Sequence, residues 1–183
     1  MSSRSRLTAA AGAILAAALC SCSGPAPFGH PTSPGGQCIP LAGHPVVTDG
    51  MESFENHANT LAVVDKVALR NPKGLRLDRA WIVPTDAQLY GAAYGYPPQF
   101  HRFKVVRWHW DQRMLADGAR VPPLSSGKYF RMNILVVVRL APGFARGRAA
   151  GIDMWYHVGD SHYYLKYLTS LAADTGKCEG FSG

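Results

Sequence analysis

Hydrophobic and polar residues alternate along much of this chain with the period of a β-strand. Between Phe130 and Leu140, the residues Phe130, Met132, Ile134, Val136, Val138 and Leu140 fall on one face. Arg131, Asn133, Leu135, Val137 and Arg139 fall on the other. Strand side chains point alternately to opposite faces, so this pattern predicts a strand with one strongly apolar side. Leu61, Val63, Val67 and Leu69 likewise share a face, opposite Ala62, Val64, Lys66, Ala68 and Arg70. Asp65 interrupts that apolar face, where a lone buried carboxylate is costly. A partner such as Arg79, or a place near a sheet edge, would relieve it.

Further strands are predicted at Leu75–Val83, Phe103–Trp110 and, more weakly, Pro45–Thr48. Asn71-Pro72-Lys73-Gly74 supplies turn chemistry between the second and third. A short helical turn near Ser170–Ala173 is the one departure from strand periodicity. Many short strands punctuated by Gly and Pro predict an all-β fold, an immunoglobulin-like antiparallel β-sandwich of about seven strands.

The last hairpin can be set in register from sequence. Ile152–Val158 and Ser161–Leu168 flank Gly159-Asp160, and Gly at the first loop position suits a type II′ turn. Val158 then faces Ser161, His157 faces His162, Tyr156 faces Tyr163, Trp155 faces Tyr164, Met154 faces Leu165 and Asp153 faces Lys166. Ile152, Met154, Tyr156, Tyr163, Leu165 and Tyr167 form an apolar face. The opposite face carries the Trp155–Tyr164, His157–His162 and Asp153–Lys166 pairs.

The N-terminus reads as an address. Arg4 and Arg6 precede an apolar run from Leu7 to Leu19, followed by Leu19-Cys20-Ser21-Cys22. The run is too short to span a bilayer and matches a signal-peptide core. With Cys22 as the first mature residue, Leu19 stands at −3 and the small Ser21 at −1, the pattern of a lipobox. Residues 1–21 are therefore expected to be a lipoprotein signal peptide and Cys22 the lipidated residue. Residues 22–37, rich in Pro, Gly and Ser, form a tether that would hold the domain on the order of 20 Å from the membrane. Residues 38–183 form the β-sandwich domain.

Of the four cysteines, Cys38 and Cys178 then remain, one near each end of the domain. In an oxidising compartment such a pair reads as one disulfide, worth at most about 5 kcal/mol for so long a loop. The 19 Lys and Arg against 12 Asp and Glu give a formal net charge of +7. These basic residues are scattered, with no basic–aromatic groove for nucleic acid, and they read as a solvated surface.

Candidate chemistry is sparse. Tyr90, Tyr94 and Tyr96 lie in a Gly- and Pro-containing loop, and tyrosines there suit recognition of a partner or a sugar face. With the outward Trp155–Tyr164 pair they are the candidate contact residues. His157 and His162 could offer two imidazoles to Zn²⁺ or Cu²⁺, with a third ligand sought among Asp160, His109 and His101. The Ser125-Ser126-Gly127-Lys128 and Gly159-Asp160-Ser161 strings lack the partners and context of their hydrolase namesakes. No G-x-S-x-G, H-E-x-x-H, P-loop or dinucleotide fingerprint occurs, so a noncatalytic protein without a cofactor is expected.

The Ala-rich signal, the Leu19–Cys22 string, the tether and the compact β domain together resemble exported lipoproteins of high-GC Gram-positive bacteria. Within the domain, FENHANTLAVVDKVALRNPKGLRLDRAWIVP is similar to the opening hairpin of the immunoglobulin-like modules in such proteins. Asn56, Val64, Val67 and Leu69 stand roughly where those modules carry their Asn, Val and Leu pattern, and GIDMWYHVGDSHYYL looks like their closing hairpin. The resemblance implies a location on the outer face of the cell membrane and a sandwich fold, and no catalytic residues. The expected role is a noncatalytic binding module for an envelope protein or wall polymer. Metal capture or delivery in the envelope through His157 and His162 is the alternative.

Overall fold

The computed structural model describes residues 26–29, 35–86, 89–98, 109–128 and 131–181. The predicted signal, Cys22, His101 and all but the last two residues of the predicted Phe103–Trp110 strand lie outside them. That strand's described end, His109 and Trp110, sits in a helical turn instead.

In chain order the strands begin with β1 (Phe28–Gly29), β2 (Gly36–Pro40), β3 (Val47–Asn56), β4 (Ala62–Leu69) and β5 (Leu75–Thr85). Next come β6 (Gly91–Tyr94), β7 (Met114–Leu115), β8 (Arg120–Val121) and β9 (Arg131–Leu140). The last four are β10 (Arg146–Ala149), β11 (Ile152–Val158), β12 (Ser161–Tyr167) and β13 (Ser170–Asp174). One sheet runs β1-β3-β9-β5-β7, with β6 also on β3, and a second runs β12-β11-β4-β8. A small third sheet, β10-β13-β2, adds to the same core. All pairings are antiparallel except β13 on β2. The chain is an all-β sandwich of mainly antiparallel sheets.

The core lies between the sheets. Ile134, Val136 and Val138 of β9 and Ile82 of β5 meet Val64 of β4 and Met154 and Tyr156 of β11, all fully buried. The other face of β9 is buried too. Leu135 packs with Val83 and Tyr90, and Trp81 and Trp110 lean on that second cluster. The segment after β5 thus covers the sheet's outer side, which explains why β9 is apolar at Leu135 and Val137 as well.

Several further elements differ from the sequence expectation. Strand β3 extends far beyond Pro45–Thr48, through Asp49, Glu52, Ser53 and Asn56, all buried. Its polar residues hide the alternation, and a register shift against β9 between Asp49 and Glu52 breaks it further. Ser170–Asp174 is a strand, not a helical turn. Its Leu171-Ala172-Ala173 run is buried throughout, and a short apolar run carries no period to tell the two apart.

Part of the expected tether also belongs to the sandwich. Phe28 is buried, its strand pairs with Asn56 and Glu55 of β3, and β2 begins at Gly36. Finally, Gly91–Tyr94 is an edge strand on β3, with Val47 opposite Tyr94, where a loop is expected.

The disulfide joins Cys38 to Cys178, with Cα atoms 5.7 Å apart. It ties β2 to the segment following β13, next to the parallel pair those strands form.

Candidate functional site: the outer face of the closing hairpin

The β11–β12 register is the one its sequence predicts, from Val158↔Ser161 to Asp153↔Lys166. Gly159 supplies the positive φ of 56° that the turn needs. Met154, Tyr156, Leu165 and Tyr167 point into the core, so Trp155, His157, His162 and Tyr164 stand on the outer face.

Strand β4 lies on the other side of β11, and its pairing contains a bulge. Lys66 opposes Trp155 and Val64 opposes Tyr156, which leaves Asp65 as the extra residue. A bulge of this kind turns a strand over. Ala62 and Val64 face the core before it and Val67 after it, whereas Leu61 is exposed. The even alternation expected across residues 61–69 therefore holds only beyond Asp65. Asp65 itself is exposed and makes no pair with Arg79, whose guanidinium lies beside Asp78 (3.6 Å) and over the Tyr96 ring (4.7 Å).

The bulge delivers Asp65 to the two histidines. His157 Nδ1 donates to Asp65 Oδ1 at 2.6 Å, and His162 Nδ1 lies 3.7 Å from Asp65 Oδ2. The two imidazole rings are 5.4 Å apart. One ligand atom from each of the three side chains lies within 4.8 Å of the other two. Asp65 is the residue missing from the expected ligand set of Asp160, His109 or His101. Its signal in the sequence is the one carboxylate interrupting an apolar alternation.

Directly along the same face, Trp155 and Tyr164 form an aromatic pair with centroids 5.3 Å apart. Lys66 Nζ stands 5.5 Å over the Trp155 ring, which draws this cation away from Asp65. The Tyr164 hydroxyl donates to Asp153 (2.8 Å), which in turn meets Arg70 Nε at 3.1 Å. Desolvation first, and then the Asp153 carboxylate, raise the Tyr164 pKa above its ordinary 10. Tyr164 nevertheless stays 48% exposed.

The other candidate tyrosines occupy a different sheet and do not act together. Tyr90 is buried, packing against Leu135 and Val83, and its hydroxyl donates to the Pro84 carbonyl (3.3 Å). It therefore presents no contact surface. Tyr96 stacks on Trp81 (6.1 Å) and meets Trp110 edge-on, with Arg113 lying 4.6 Å over Trp110. This arrangement pins the covering segment to the sheet. Only Tyr94 of the three is substantially exposed, stacked on His44 at 5.5 Å. Of the alternative third ligands, His109 is buried and pairs with Asp86 at 2.8 Å.

No protein-family model matches the chain, and no curated protein sequence does either. Among solved structures it is similar to the ASH / PapD-like domain of human CEP192 (PapD-like domain 7), at 11% identity and a TM-score of 0.35. That match covers 84% of this chain and 87% of the other.

Proposed function

We propose that the protein is a noncatalytic interaction module of the bacterial envelope, held on the outer face of the cell membrane by a lipid on Cys22. It meets its partner, an envelope protein or wall polymer, through the outer face of the closing hairpin. The observation that carries this reading is the Trp155–Tyr164 pair, two large rings side by side on the hairpin's outer face, Tyr164 exposed and Trp155 half-buried. Stiff amphipathic rings give large contact area at little entropic cost and recur as energetic anchors of interfaces. Lys66, over the Trp155 ring, places a positive charge beside the rings and so favours a partner with acidic groups at that end.

A photocrosslinking residue at position 164, introduced in intact cells, tests the reading directly. It is expected to trap a reproducible partner, and Trp155→Ala should weaken that partner's binding by roughly 30-fold, the effect of losing a central anchor. Equal trapping with Trp155→Ala in place would refute the contact face. The anchor is tested separately by Cys22→Ala, which should release the protein from the membrane fraction.

A further inference from the structure

We infer that Asp65, His157 and His162 form a binding site for one divalent transition metal ion of the Zn²⁺ type. Three neighbouring strands supply one ligand each: β4 through its bulge, β11 and β12. His157 and His162 are directly opposed in the hairpin, so their separation is fixed by sheet geometry rather than by loop conformation. Val64 faces the core, so Asp65 after it points outward, and as the unpaired bulge residue between Val64 and Lys66 it lies on the face that carries both imidazoles.

The donor set decides the class of ion. Two imidazole nitrogens and a carboxylate suit Zn²⁺, with Cu²⁺ as the stronger competitor for the same atoms, and disfavour the all-oxygen coordination of Ca²⁺ or Mg²⁺. Tetrahedral bonds of about 2.1 Å place donors roughly 3.4 Å apart. The present ligand atoms, within 4.8 Å of one another, reach that spacing by small side-chain rotations on an exposed face. His162 has the freedom for this, with its side chain 75% exposed. The cations on these strands leave room for the ion, Lys166 lying opposite Asp153 toward the far end of the hairpin. Lys66 is held over Trp155, and Arg120 is separated from His157 by Val63. Three protein ligands leave coordination positions open to water. This site does not depend on the partner-binding reading above.

The test is a Zn²⁺ titration of the full chain, without an affinity tag, in competition with a chromophoric chelator. Co²⁺ absorption serves as a second readout of ligand geometry. One Zn²⁺ per chain is expected, and Asp65→Ala, His157→Ala and His162→Ala should each weaken binding at least about tenfold. His57→Ala is the control; His57 is exposed and pairs with Glu55, and its loss should change nothing. Zn²⁺ should raise the Tm of the wild type and fail to raise that of His162→Ala, a substitution at an exposed position that leaves the core intact. Absence of stoichiometric binding, or an Asp65→Ala protein that binds as tightly as the wild type, would overturn the site.

Discussion

Phe28 lies flat on Tyr156, with ring centroids 3.8 Å apart and planes 6° apart, and its N–H donates to the Tyr156 hydroxyl at 3.1 Å. Phe54 also packs against Phe28, with centroids 4.6 Å apart and the rings tilted by 36°. The contact joins residues far apart in the chain and places the segment before β2 inside the sandwich. Phe28→Ala should therefore cost about 3–5 kcal/mol, the range for removing a buried aromatic. Tyr156→Phe keeps the ring but leaves a buried N–H unpaired, at about 1–3 kcal/mol. Urea unfolding of both variants measures this; a Phe28→Ala loss below about 1 kcal/mol would show that the strand lies loosely on the core.

Buried Asp49 sets a pH dependence. Desolvation, reinforced by the charge of Glu52 and opposed by the Met51 backbone hydrogen bond, pushes its pKa up to about 7 from 3.8. The folded state therefore holds its proton across a window where the unfolded chain has released it. Stability from this group is full below about pH 4, falls as pH rises to about 7 and is flat above, by up to about 4 kcal/mol in total. Asp49→Asn should stabilise the protein more near pH 8 than near pH 5. Urea midpoints at the two pH values decide it, and an equal gain at both would contradict the assignment.

The Cys38–Cys178 bridge spans 140 residues of chain. Replacing both cysteines by alanine should cost about 2–5 kcal/mol. The same loss should appear when a reductant is added to the wild type and be absent when it is added to the variant. Paired denaturant curves give the comparison.

Arg70 fastens the far end of the hairpin. Its guanidinium donates to the Tyr167 and Ile152 carbonyls and meets Asp153, with both charged side chains largely buried. Removing it leaves a carboxylate and two carbonyls without their cation, so Arg70→Ala should cost about 3 kcal/mol or more. Gly151 admits this arm, since φ there is +144° and a Cβ would collide with the Arg70 guanidinium and the Tyr167 carbonyl. Gly151→Ala should lower the Tm for the same reason, and a fully stable alanine variant would show that the arm is dispensable.

The strands that alternate cleanly were legible in the sequence. Ile152–Val158 and Ser161–Tyr167 form a local hairpin, in which turn chemistry and a two-residue period fix register without help from the rest of the chain. Arg131–Leu140 shows its core face for the same reason, and Cys38 and Cys178, one near each end of the domain, are bonded as expected. Strand β3 was legible only at its start, within Pro45–Thr48. It lies between neighbours, with polar residues buried where long-range partners meet them, as Asn56 does by donating to the Val121 carbonyl.

For the candidate site the division is equally physical. By itself the sequence determined that His157 stands opposite His162 and Trp155 opposite Tyr164, because those contacts are local to one tight turn. Only the tertiary structure decided that Asp65 joins them. That needs β4 to pair with β11, with Asp65 as the bulge residue between Val64 and Lys66 on the outer face. Pairing across ninety residues of chain is set by how the two sheets close on one core, and no local period records it.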